Sequence, residues 1–80
     1  MLWFVNKKTE NDENIIIGYS YSKNDSCDGI LKYDKNQEEL SIEKLSEGAD
    51  EGVTKMLFSI LYGILGNGGL SKDKKMIATG

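Results

Sequence analysis

The 80-residue chain contains no arginine, no histidine, no proline and a single cysteine. Without histidine it lacks the one side chain that titrates near neutrality unperturbed, and with it the commonest general base and zinc ligand. Without arginine there is no bidentate clamp for phosphate or carboxylate, and no guanidinium to stack on a nucleobase. Acid–base chemistry would fall to carboxylates, lysines, tyrosines or Cys27, with a strongly shifted pKa. The composition therefore points away from an enzyme. Lysine, asparagine and isoleucine are abundant and share A/T-rich codons, so coding bias accounts for the missing arginine as well as function does.

One cysteine cannot form an internal disulfide, so no covalent staple supports a small core. Long apolar runs are also missing. Met1–Val5 is apolar for only five residues, and Lys7 and Lys8 follow it, the reverse of a secretory leader. The expected setting is a reducing cytoplasm.

What is present describes an ordered protein. Apolar residues make up 39% and charged residues 29% of the chain, and ten lysines stand against 13 carboxylates for a net charge of −3. That mixture is typical of globular rather than disordered chains. The length predicts one domain over residues 1–80, and a chain this short buries only roughly 60% of its unfolded surface.

Ile15 to Ser22 is the clearest strand. Ile15, Ile17, Tyr19 and Tyr21 fall on one face, with Ile16, Gly18, Ser20 and Ser22 on the other, which is expected to be thin or solvated. Asn6 to Asn14 holds nothing to bury and reads as a mobile connection from Met1–Val5. Lys23 to Asp28 forms a turn closed by Asp28-Gly29, Ile30 to Asp34 a second arm, and Leu40 to Leu45 a third with Leu40 and Ile42 on one face. Val53, Met56, Leu57, Ile60, Leu61, Ile64 and Leu65 repeat at helical spacing, with Asp50 as N-cap and Gly66-Asn-Gly-Gly69 as terminator. Lys75 to Thr79 closes the chain as a short strand. The reading is α+β: an antiparallel meander of about four strands, one apolar helix over about 50–66, and a C-terminal strand.

Apparent site motifs give way to plainer readings. Asn24, Ser26, Asp28 and Gly29 match the first half of a calcium loop, yet Lys35 takes the position that requires a bidentate glutamate. Glycines 63, 66, 68 and 69 close a helix, whereas a phosphate loop opens one, and Ser71 replaces the third glycine of a dinucleotide fingerprint. Cys27 lies among Asp25, Ser26 and Asp28, neighbours that raise a thiol pKa. No cofactor or metal is called for. Residues 38 to 51 carry six carboxylates against Lys44, a local charge of −5. They form a solvated turn and helix start, or a surface that imitates nucleic acid.

The helix holds the one anomaly. From Met56 to Ser71 no residue is charged. Phe58 and Tyr62 lie off the main stripe, and little beyond Lys55, Ser59, Gly63 and Gly66 remains for solvent. Val53–Gly66 reaches about 21 Å, too short for a membrane core of about 30 Å, and one lysine is too few for an interfacial helix. Burial by a curved sheet or by a partner remains, and a cyclic dimer is the simplest partner. Phe58, Ser59, Tyr62 and Gly63 are the candidate interface.

These residues fit a non-catalytic cytoplasmic protein-interaction module that binds a protein partner or a second copy. The alternatives are a small-molecule-binding domain or enzyme with a pocket lined by Tyr19, Tyr21 or Tyr33, and an acidic inhibitor. Neither nucleic acid nor membrane is an expected partner. A filter-binding titration at physiological salt should detect no affinity for single- or double-stranded nucleic acid. Micromolar, steeply salt-dependent binding would contradict the charge argument.

Overall fold

Alternation along the isoleucine-rich segment builds the centre of the protein: Ile15, Ile17 and Tyr19 are buried on one side of a strand. A computed structural model of the chain describes residues 1–78. Its elements are β1 (Leu2–Glu10), β2 (Asn14–Tyr21), β3 (Gly29–Asp34), β4 (Glu39–Lys44), α1 (Glu51–Gly66) and β5 (Lys75–Ala78). The strands form one antiparallel sheet in the order β4-β3-β2-β1-β5, with the helix packed on one face. This is the expected α+β arrangement, and the helix begins one residue after its cap. Thr79, expected in the last strand, lies outside the described residues.

Trp3 and Val5 of β1, Ile15, Ile17 and Tyr19 of β2, Leu31 of β3, Leu40 of β4 and Ile77 of β5 meet Leu57 and Leu61 of α1 in one core. Asp50 adopts an extended conformation, and its carboxylate accepts from the Val53 N–H at 2.7 Å, satisfying one of the free amides that open any helix. At the other end the Asn67 and Gly69 N–H groups both donate to the Ile64 carbonyl. Gly68 (φ +114°) and Gly69 (φ +82°) then reverse the chain through left-handed backbone open to glycine.

Three expectations need correction. Asn6 to Asn14 is no mobile connection: β1 continues to Glu10 and pairs with β2 down to Glu10↔Ile15, with an irregularity between Lys7 and Thr9. The turn is fixed by the Asn11 carboxamide, which accepts from the N–H groups of Glu13 (2.8 Å) and Asn14 (2.7 Å). Main-chain pairing, which needs no apolar side chain, holds this polar hairpin. The Gly18/Ser20 face of β2 is buried, because residues 22–28 fold over it and the Cys27 N–H donates to Ser20 Oγ. A Cβ on Gly18 would stand 2.5 Å from Asn6 Oδ1 and 3.1 Å from the Cys27 carbonyl. Met56, counted in the apolar stripe, is 53% exposed.

The buried Tyr19 hydroxyl joins the sheet to the helix. Thr54 Oγ1 donates to the Asp50 carbonyl (2.7 Å), which leaves it as acceptor for the Tyr19 O–H (2.9 Å). Tyr19 in turn accepts the Ser46 N–H at 3.0 Å. Gly29 lies alongside, where a Cβ would overlap the Tyr19 ring and stand 2.8 Å from the Ser46 nitrogen. Tyr19→Phe strands the buried Ser46 N–H, and the expected loss is about 1–3 kcal/mol of unfolding free energy in urea titrations. Stability equal to wild type would show that this chain of hydrogen bonds is not a support.

Candidate functional site

The four candidate interface residues divide between the core and solvent. Phe58 is half-buried against the core. Tyr62 is 40% exposed, but its ring meets Phe58 and Tyr33 edge-on, and its hydroxyl accepts the Leu40 N–H of β4 at 2.9 Å. Ser59 and Gly63 are exposed, and nothing lies within 4 Å of a Cβ placed on Gly63. The sheet thus takes up much of the extra apolar surface of α1 through its β3–β4 side. The exposed strip that remains includes Lys55, Met56, Ser59, Gly63 and Gly66.

Tyr62 borders the first of two clefts. Between β4 and the start of α1 lies an open cleft of about 410 Å³, walled by Leu40, Ile42, Leu45 and Phe58. Leu45 is 43% exposed there, although it follows directly on a strand. Lys55 and Glu51, paired at 3.0 Å one helical turn apart, form the helix side of its rim. β4 is an edge strand, so one row of its main-chain groups faces this opening. Sequence reading located Leu40 and Ile42 but gave no reason to join them to Leu45, because the cleft arises only from where β4 falls in the strand order.

The second cleft, of about 330 Å³, is lined by Tyr33, Ile15, Leu65 and the Gly68–Gly69 turn, with Lys7, Glu10 and Lys35 around it. The two Glu10 oxygens bind one lysine each, Lys7 at 2.8 Å and Lys35 at 2.6 Å. These hydrogen bonds, Lys35 foremost, hold the Glu10 pKa down at about 2 against an ordinary 4.5. Of the three tyrosines proposed for a pocket, Tyr33 alone lines one of these clefts. Tyr19 is consumed by the core, and Tyr21 packs on Trp3 with ring centroids 4.6 Å apart.

The would-be calcium loop is a tie between loops. Asp28 Oδ1 accepts from Ser46 Oγ (2.6 Å) and Asn24 Nδ2 (3.0 Å), and Oδ2 accepts from the Glu47 N–H (3.1 Å). Those donors occupy the carboxylate, and no acidic or thiol cluster able to hold a metal occurs among the described residues. Cys27 is buried beside it, and desolvation pushes its thiol pKa up, away from the thiolate a nucleophile needs. In the acidic stretch, Glu39 and Glu43 share the outer face of β4, whereas Glu38 belongs to the preceding turn and Glu47 to the loop before α1. No helix among the described residues is long and apolar enough to cross a membrane. Comparison with known families, with curated proteins and with solved structures gave no match.

The Asp28 tie predicts acid sensitivity. Its hydrogen bonds, led by the one from Ser46, lower the pKa from 3.8 to about 2. A depressed carboxylate stabilises fully above its unfolded value and loses that contribution as pH falls through its folded value. Stability should therefore decline between about pH 4 and pH 2, with Glu10 contributing in the same window. Asp28→Asn should cost about 1–2 kcal/mol at neutral pH and flatten part of that decline in urea titrations run across the range. An unchanged acid profile would show the carboxylate to be free in solution.

Proposed function

We propose that this protein is a non-catalytic protein-interaction module whose contact surface is the cleft between β4 and α1. The exposed Leu45 beside the open edge of β4 carries the reading. A large apolar side chain outside the core, next to main-chain groups with room for a partner, is what a docking surface requires. The chemistry of the remaining groups supports it. Cys27 is a poor nucleophile, Tyr19 is committed to the fold, and Glu10 and Asp28 are held ionised by their donors. A reducing, cytoplasmic setting belongs to the same reading, supported by the lone unpaired thiol of Cys27.

One observation favours a second reading, a small-ligand site. Tyr33 stands at the cleft that also holds Glu10, Lys7 and Lys35, where two ammonium groups share one carboxylate. The local surplus of positive charge suits a small organic anion. Self-association would use the outer strip of α1, where Met56 and Tyr62 flank Ser59 and Gly63. Light scattering at micromolar concentration reports it as a dimer mass that Tyr62→Lys abolishes.

The first reading is tested by Leu45→Lys. This side chain is exposed, so the substitution should change unfolding free energy by no more than about 0.5 kcal/mol while abolishing capture of the partner from extracts of the native host. A variant that still captures the same protein at wild-type yield would refute the cleft as the contact surface.

A further inference from the structure

β4 is the longer of the two sheet edges, six residues against four in β5. Its pairing with β3 (Tyr33↔Leu40, Leu31↔Ile42) and the outward bond from the Leu40 N–H to Tyr62 fix which main-chain groups face away from the sheet. Strand alternation turns the N–H and C=O of Ile42 the same way as those of Leu40. Tyr62 therefore closes the first outward position and leaves the next one open. An edge of this kind templates another strand unless charge, twist or a covering element prevents it.

The two sides of β4 dictate the pattern of such a strand. Leu40 and Ile42 point toward α1 and floor the cleft with Leu45 and Phe58, so alternate residues of an added strand would lie on apolar surface. Glu39, Ser41 and Glu43 point to the opposite side, and Glu39, Glu43 and Glu47 pair with no lysine among the described residues. The other half of the added residues would lie beside these carboxylates, where opposite charge stabilises and like charge destabilises. A second copy is excluded as the occupant by the same rule, because it would set one stretch of −5 against another.

We infer that β4 takes up, as a sixth strand, an extended segment of a partner protein in which apolar residues alternate with lysine or arginine. The inference rests on the cleft reading above and adds to it the backbone geometry and the charge of the partner. Its affinity comes from main-chain hydrogen bonds at Ile42, from apolar contact with Leu45 and Phe58, and from the acidic row, whose share weakens with salt.

The probe is a seven-residue peptide of alternating valine and lysine, titrated into the isotope-labelled full chain. Amide resonances of residues 39–45 should shift, and the Ile42 N–H should exchange more slowly with solvent. The same peptide with glutamate for lysine should not bind, and a form N-methylated at alternate residues, which keeps the side chains and loses main-chain donors, should bind at least tenfold more weakly. Tyr62→Phe frees the Leu40 N–H for the incoming strand and should tighten binding about fivefold. Equal binding by the methylated form, no protection of Ile42, or no gain in Tyr62→Phe would overturn strand addition while leaving the cleft as a binding surface. Absence of any shift with the lysine peptide, or binding of the glutamate form, would overturn the charge assignment. Failure of the cleft reading itself is read separately, as partner capture that survives Leu45→Lys.

Discussion

The Tyr19 hydroxyl has one donor proton and it is spent on Thr54, so its oxygen can only accept from Ser46. That fixed direction begins at the Asp50 carbonyl, which takes the Thr54 proton. A strand in the middle of the sheet, the loop that leaves its edge and the first turn of the helix are thereby locked at a single point. Burial of all three side chains removes water as a substitute partner, which makes each missing link expensive. Gly29 belongs to the same constraint, since the tyrosine ring occupies the space that a side chain would need. The position of α1, and with it the width of the cleft beside β4, follows from this anchor.

Asp28 supplies a second tie a few residues away, joining the β2–β3 loop to the β4–α1 loop through Asn24, Ser46 and Glu47. Ser46 takes part in both, giving its N–H to Tyr19 and its hydroxyl to Asp28. The two loops at this end of the sheet are therefore ordered by charge-assisted and buried hydrogen bonds. The opposite end, where β1 turns into β2, relies on the Asn11 carboxamide and on exposed ion pairs around Glu10. Such pairs contribute little in water, so the polar hairpin is held chiefly by its ladder.

Periodicity made α1 and β2 legible, because each has a face whose burial the sequence must encode. It failed for residues 6–10 of β1, whose partners are main-chain groups of β2 and whose side chains are polar on both faces. Burial of Gly18 and Ser20 was hidden for another reason: the cover comes from a loop folding back over its own strand. The excess apolar character of α1 was visible, while its resolution was not, since Tyr62 reaches the Leu40 N–H across 22 positions. Tyr33 and Leu45, which border the two clefts, could be named as residues but not joined to their neighbours without the strand order.

That order also governs how the chain assembles. β1 to β4 each pair with the next strand in sequence, so three hairpins can zip from local turns at small entropic cost. β5 joins β1 through Leu2↔Ala78, Trp3↔Ile77 and Phe4↔Met76, contacts between opposite ends of the polypeptide. Closing that loop gains nothing until the meander and helix have already drawn the ends together. β1 is therefore the last strand to acquire its second neighbour, and on a ribosome its outer row of amides stays uncovered until the final few residues emerge.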